Sequence, residues 1–576
     1  MKTVVYIRIP AIILAVFFSI NILTGCSTQL FLSNAGPAAA AADNAARPAA
    51  PVVNNAIYSN DYIIDEGPVR GGAVRVYATA PDTYNALLTR NSYANAMFGL
   101  IYEGLATIGP YLTVECGLAE RWAPSVDGMV WYVVLRDGVK WHDGRPLKAY
   151  DVVGTIDKIR SYGEYSPYAD LIENIRSAAA MSELEIRLEL IKENAFTPYT
   201  LTFPIIPSHV AIDALDGMSG DANMGAALIG TGPYRYAGHD KEKSVTLEAA
   251  NTWHGAMDSA ETQPPYIQEV QFIFHDPRDT ALSRFRERDV DLFFSKTINY
   301  SRYQSSSELR IRQYSEREFL FVSMNYNKGM TAAKSVRRAL LRMLDRKKLI
   351  GEALDGRGIA AEYPVQPESL LYGDGITGTP YDPQAARSIL ENAGFRLDDG
   401  VFYGDVGNGW RSLELSMLVN AGDAERCALA DKMADMFRDN GVVIKVIREQ
   451  ADEIAKKITG GEYEMALIGY RTQPFPDMTE LYSTPWQEGK QPVNPARYQN
   501  DEADRISHEL FTVYDEADRM TAFSELTAIL RDDAPYLGIC FRASALVHGE
   551  DMRGGIYPCD RNPLNMFAGW YISDYR

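Results

Sequence analysis

The chain has 576 residues, of which 11 % are aromatic (34 are Tyr), and its formal net charge is −19. That length buries a large core and predicts more than one lobe. The acidic balance repels phosphate and argues against a nucleic-acid partner. The tyrosine content exceeds what a packed core needs and is of the kind used on ligand clefts and surfaces.

At the N-terminus, Lys2 and Arg8 flank the start of an apolar run, Ala11–Ile20, that is too short for a comfortable membrane span. It leads into Leu23-Thr24-Gly25-Cys26. A charged start, a short apolar core and small residues before the cut predict a secretory signal over residues 1–25. Leu-Thr-Gly-Cys resembles the bacterial lipobox, in which the Cys thiol is acylated and becomes the mature N-terminus. The alternative is an uncleaved anchor helix with an incidental Cys26. Residues 26–56, rich in Ala, Pro and Asn, predict a disordered tether reaching about 30 Å. Of the remaining cysteines, Cys116, Cys427, Cys540 and Cys559, none has CxxC or Cys/His metal spacing. Cys540 and Cys559 could pair or stay as buried thiols.

The body opens with a strand at Ala73–Ala78, a loop around Pro81–Asn85 and a helical stretch ending in Ile101-Tyr102-Glu103-Gly104-Leu105. The most patterned stretch follows, from Gly117 to Val153. It holds three Asp-Gly turns, at Asp127-Gly128, Asp137-Gly138 and Asp143-Gly144. Between the first two, Trp131, Val133 and Leu135 alternate with Tyr132, Val134 and Arg136, which predicts a strand of a hairpin. A helix is expected from about Leu147, just after Pro146. His142, inside Trp-His-Asp-Gly, reads as a fold-specific hydrogen-bonding residue rather than a catalyst. Gly230-Thr231-Gly232-Pro233 lacks the Lys-Ser/Thr of a phosphate loop, and Pro233 removes a donor, so it predicts a tight turn into a strand at Tyr234. Ile267–Phe274 alternates as a strand and Asp279–Arg288 as an amphipathic helix. Asp289 and Asp291, two apart, would share one face of a strand; acid/base work is conceivable there, against solvated or capping carboxylates.

In the second half, Asp382 can cap a helix that Pro383 opens and Gly394 ends. Strands at Leu413–Val419, Val442–Ile447 and Glu464–Gly469 alternate with helices at Asp423–Arg438 and Asp452–Ile458. That alternation predicts a parallel sheet, and ligands collect beyond the carboxyl ends of such strands. Those ends carry Asn420, Arg448 and Tyr470-Arg471-Thr472-Gln473. A long acidic helical region, Asp501–Asp533, then precedes a strand entered through Ala534-Pro535. No GxSxG, HExxH or Walker loop is present, the seven His are dispersed, and no repeat is evident. No cofactor, metal site or catalytic constellation is therefore expected.

As a pattern, Leu118-Ala119-Glu120, Trp122, Ser125, Asp127-Gly128, Leu135-Arg136, Gly138-Val139-Lys140, His142-Asp143-Gly144, Pro146 and Asp151-Val152 resemble the signature of the family-5 extracellular solute-binding proteins. Ile101–Leu105, Phe203–Val210, Gly230–Tyr234, Asp289–Leu292, Phe321–Asn327, Val336–Leu340 and Ala534–Leu537 also match family strings in order, so the resemblance covers about Gly71 to Leu546. It implies an α/β, two-lobed periplasmic-binding-protein-like fold of type II, with an extra subdomain in lobe one. The expected bounds are 57–318 for lobe one, including an insert at about 106–229, then 319–534 for lobe two and 535–576 returning to lobe one. Hinge strands are expected near Phe319–Met324 and Tyr536–Ala543.

The resemblance further implies a monomeric, non-enzymatic lipoprotein of the cell envelope. It would be anchored through Cys26, capture peptides or a related small solute, and deliver them to a membrane permease and its ATPase subunits. The other classes are a peptide-signal receptor and an importer subunit for an oligosaccharide, opine or metal chelate. In the family's peptide binders an Asp in the loop after the third strand accepts the ligand's α-ammonium. Counted from Gly469-Tyr470, that position is Gln473, which is neutral and loses the charge-assisted pairing. Asp477 could substitute, and Arg471 would attract an anion instead. Candidate ligand contacts are Asn85, Asn325, Tyr470, Arg471, Gln473 and Asp477, together with Tyr-rich walls; the competing reading makes Gln473 a surface loop residue.

Overall fold

Two strands organise the molecule, Arg310–Met324 with 15 residues and Tyr536–His548 with 13. They are long because both run through both halves of one 11-stranded sheet. The computed structural model describes residues 67–573, apart from 213–226, 241–242, 257–263, 277, 307, 374–377, 408 and 485–493. The signal, Cys26 and the tether lie outside the described residues.

On one side of the long pair the sheet continues through Leu292–Ser295, Ala73–Ala78, Glu269–Phe274, Ser244–Ala249 and Tyr234–Asp240. On the other it continues through Met465–Arg471, Glu414–Asn420 and Val443–Glu449. These last three are parallel to one another, as their alternation with helices Ala424–Arg438 and Ala451–Gly460 predicts. The sheet thus carries the two lobes of a type II binding-protein fold. Each lobe packs its own apolar cluster. Val74, Phe272 and Leu546 meet Phe567 and Trp570 from the chain's end in one, while Met417, Phe437 and Leu537 meet in the other.

The long strands do not pair evenly. Ser315 faces Ala543 and Phe319 faces Phe541, so Glu316-Arg317-Glu318 bulge opposite Arg542. Such a bulge bends the strand and re-aims its side chains. It is held in place by Glu368, which accepts from Ser315 N–H at 2.7 Å and Ser315 Oγ at 2.6 Å. The bulge lies just ahead of Phe319. Cys540 and Cys559 are both free and buried rather than paired, and burial pushes each thiol up to about 12.

The signature stretch forms a separate four-stranded sheet, in the order Ala119–Pro124, Val130–Leu135, Glu185–Leu190 and Ile175–Ala180. Trp131, Val133 and Leu135 are buried as their alternation requires, and Gly128, Gly138 and Gly144 all take positive φ in their turns. The helix starts slightly later than expected, at Ala149–Tyr162. Its buried Asp151 accepts from Lys148 N–H and Ser208 N–H, which fixes the helix start to a distant loop. His142 joins the signature to the Gly-rich turn: Nε2 donates to Gly232 O at 3.0 Å, and Nδ1 accepts from Gly230 N–H at 3.2 Å. Burial lowers its pKa and keeps the ring neutral for that paired role. Gly230 is required because a Cβ there would lie 1.8 Å from Ile101 O.

The expectation for Asp289 and Asp291 needs correction. The strand begins at Leu292, so both residues precede it. Asp291 accepts from the backbone and guanidinium of Arg75, and Asp289 pairs with Arg284 at 3.1 Å. Both carboxylates are partly exposed and engaged in ion pairs.

Candidate functional site

A cleft of about 990 Å³ opens where the long strands cross. Helix Ser92–Ile101, the end of strand Leu292–Ser295 and the Cys559–Asn565 loop form part of its wall, and Arg471 and Pro474 border it from the second lobe. Six tyrosines line it, Tyr77, Tyr93, Tyr102, Tyr168, Tyr303 and Tyr314. A volume of this order accommodates a ligand of drug or short-peptide size.

The charged groups of the wall are nearly all spoken for. Glu103 accepts from Trp253 Nε1 and His254 Nε2, each at 3.0 Å. Asp279 pairs with Arg284, Glu316 with Lys296, and Arg317 with Asp560 at 3.2 Å. Burial lowers the pKa of Arg317, and the nearby Arg471 charge adds to that effect, with Asp560 opposing both. Arg561, half-buried, donates to Tyr199 O, Thr202 Oγ1 and Pro474 O. It thereby ties the signature subdomain to the loop after strand Met465–Arg471. Next to this tie, Phe475 stacks on Phe196 at 5.4 Å and meets Phe511 edge-on at 6.1 Å, with the Arg519 guanidinium over the Phe196 ring. These groups join the signature subdomain to the second lobe.

Of the six sequence candidates, Arg471 lines the cleft and the other five do not. Asn85 is fully buried, donating to Tyr162 OH and accepting from Leu87 N–H. Asn325 donates to Gly461 O and Tyr463 O, joining two loops at the far end of the second lobe. Tyr470 and Gln473 both turn to Glu480, the former through its hydroxyl and the latter at 3.3 Å. Tyr470 borders a separate cavity of about 450 Å³. Asp477 is buried with Oδ1 held by Thr479 N–H and Oγ1, and burial raises its pKa.

The three parallel strands also differ from expectation at their carboxyl ends. Arg448 pairs with Asp431, and Asn420 Oδ1 accepts from Gly422 N–H. The space beside Asn420 holds an ion network in which Arg542 contacts Glu318, Asp423 and Glu425, and Arg426 also contacts Glu318. Only the third strand presents its end, Arg471, to the cleft.

Sequence reasoning missed Asn95, Arg317, Asp560 and Arg561 on this wall. Asn95 carries the one signal visible from structure alone, a buried Oδ1 without a hydrogen-bond partner. Among the described residues no group of three or more His, Cys, Asp or Glu is placed to hold a metal, and no helix is long and apolar enough to cross a membrane.

A two-lobed α/β fold on one sheet, with a tyrosine-lined cleft beside the long strands, is the arrangement of a type II binding protein. The chain belongs to the bacterial extracellular solute-binding proteins, family 5, whose model matches residues 113–491. Its relatives include the oligopeptide-binding protein AppA of Bacillus subtilis (strain 168), 22 % identical, with 87 % of this chain and 92 % of that protein covered. The nickel-binding periplasmic protein of Escherichia coli (strain K12) is 24 % identical, covering 83 % and 92 %. Among solved structures, the ABC transporter substrate-binding protein CtaP of Listeria monocytogenes matches with a TM-score of 0.63 at 20 % identity, covering 88 % of this chain and all of that one. Proteins of this family bind solutes for transport and are not enzymes, and they work outside the cytoplasm.

Proposed function

We propose that this protein is the capture subunit of an ABC importer for peptides or a closely related small solute. The carrying observation is the roughly 990 Å³ tyrosine-lined cleft at the crossing of the two long strands. Tyrosine walls offer broad apolar faces and few fixed charges, which suits ligands recognised without regard to side chain. The similarity to an oligopeptide-binding protein over most of both chains supports the peptide class. In this reading Arg471 contacts the ligand, and Tyr470, Gln473, Asp477, Asn85 and Asn325 hold the surrounding loops. The lobes are residues 57–318 with 535–576, and 319–534. They rotate about the Glu316–Glu318 bulge, and the closed form is the one a permease recognises. The mature monomer hangs from the outer side of the cytoplasmic membrane, or in the periplasm, by lipid on Cys26.

Thermal-shift screening of the Cys26→Ser chain against di- to hexapeptides, sugars, opines and metal chelates tests the ligand class. A ligand at a hundredfold excess over its Kd stabilises by about 2.7 kcal/mol. Peptides shifting the transition while the other classes do not is the expected result, and the reverse abandons the peptide reading. Recovery of the wild-type chain in the membrane fraction, with loss of that association in Cys26→Ser, tests the anchor.

A further inference from the structure

The cleft wall contains an imbalance that points to the ligand's charge. Every carboxylate on the wall already has a partner: Glu103 has Trp253 and His254, Asp279 has Arg284, Glu316 has Lys296, and Asp560 has Arg317. The cations are equally engaged, with Arg278 on Asp276 and Arg561 on three oxygens. Arg471 is the exception among the described residues of the wall, because its guanidinium has no ion pair, hydrogen bond or ring contact.

Its position is nevertheless fixed. Arg471 pairs in the sheet with Glu318, and Thr472 N–H donates to Arg317 O at 2.8 Å, so Arg471 and Arg317 are held side by side. Three arginines, Arg317, Arg471 and Arg561, share this end of the cleft, with the Asp560 carboxylate in contact with Arg317. Arg471 is exposed and lies beside the largely buried Arg317, so an anion between them is favoured by both charges, and the planar guanidinium fork matches a carboxylate in two parallel bonds.

We propose that the cleft recognises its ligand through an anionic group, a carboxylate, held by Arg471 beside the Arg317–Asp560 pair, rather than through an ammonium. This rests on the cleft being the solute seat. Arg471 comes from the second lobe, Arg317 from the crossing strand, and Asp560 from the chain's returning end. A carboxylate placed there touches both lobes, so its binding favours the closed arrangement by differential contact. The opposite preference, an α-ammonium, meets no free carboxylate on this wall.

The test uses four probe pools on the Cys26→Ser chain: random tri- to hexapeptides with both ends free, the same peptides C-terminally amidated, the same N-acetylated, and small non-peptide mono- and dicarboxylates. Thermal shift and native mass spectrometry read binding, and Arg471→Gln is run in parallel with Arg387→Gln, a helix-surface control paired with Glu391. The expected result is binding of the free and N-acetylated pools and loss of the amidated one. Arg471→Gln should bind roughly 10- to 100-fold more weakly, Arg387→Gln should be unaffected, and Arg471→Lys should recover part of the loss. Binding of the non-peptide carboxylates alone, abolished in Arg471→Gln, supports the anion seat while removing the peptide reading. Amidated peptides binding as well as free ones, Arg471→Gln binding like wild type, or no carboxylate pool binding up to about millimolar concentration overturns it.

Discussion

If the lobes close as proposed, the Phe196–Phe475 contact should help to hold them together, and Phe475→Ala removes it. Phe475 lies two residues beyond Gln473 on the second lobe, while Phe196 belongs to the signature subdomain on the other side. The Phe475 ring makes two aromatic pairs, stacked on Phe196 at 5.4 Å with planes 10° apart, and edge-on to Phe511 at 6.1 Å. The Phe196–Phe475 pair exists only when the lobes touch, and Phe475–Phe511 keeps the ring aimed for it. Each pair contributes about 0.5–1.5 kcal/mol beyond its buried area, and only the Phe196 pair differs between open and closed, so the truncation should cost the closed state about 0.5–1.5 kcal/mol. That is a roughly 2- to 13-fold shift of the opening equilibrium. Because apparent affinity scales with the fraction of competent protein, ligand binding should weaken by up to the same factor, mostly through faster release. Small-angle scattering of the unliganded chain should show a larger radius of gyration than wild type. Calorimetry should show the affinity loss, and Phe475→Leu should fall between. Arg561, bonded to Pro474 O and Tyr199 O, and the Ala195 N–H to Phe511 O bond remain in the variant, which bounds the effect from above. An unchanged radius together with an affinity within about twofold of wild type would refute the argument that this contact holds the lobes.

Two further outcomes follow from particular residues. His548 is buried in the long return strand, and burial depresses its pKa from 6.5 to about 4. A depressed histidine favours the neutral form on folding, so its contribution is complete above about pH 6.5 and is lost as pH falls towards 4. The loss amounts to about 3 kcal/mol, and urea unfolding at pH 7 and pH 4.5 should show a slope that His548→Gln flattens. Gly230→Ala drives a Cβ to within 1.8 Å of Ile101 O and should cost about 3 kcal/mol or more, whereas Gly138→Ala, strained by φ of +77° but open to solvent, should cost only about 1–2 kcal/mol in the same assay.

Local pattern made much of the fold legible. The Asp-Gly turns demanded positive φ, the alternation of Trp131, Val133 and Leu135 demanded one buried face, and Asp382-Pro383 demanded a helix start; each takes that form. The strand-helix alternation after Leu413 specified a parallel sheet because such strands need a crossover. The site was less legible. Asp477 and Gln473 sit in the loop that sequence spacing indicated, yet one caps the turn at Thr479 and the other reaches Glu480. Spacing places a residue on a loop but says nothing about which partner its side chain finds.

The sequence by itself determined the turns, the periodicities, the order of elements and the family, because these depend on each residue's own backbone preference and its near neighbours. Tertiary structure alone decided that Arg317, Arg471, Asp560 and Arg561 share one wall, since they come from three distant segments joined only by sheet pairing and lobe contact. It also decided which charges cancel. Ion pairing depends on distances of a few ångströms, in the case of Arg317 and Asp560 between groups more than two hundred residues apart, and one unpaired guanidinium becomes visible only after every other charge on the wall has found its partner.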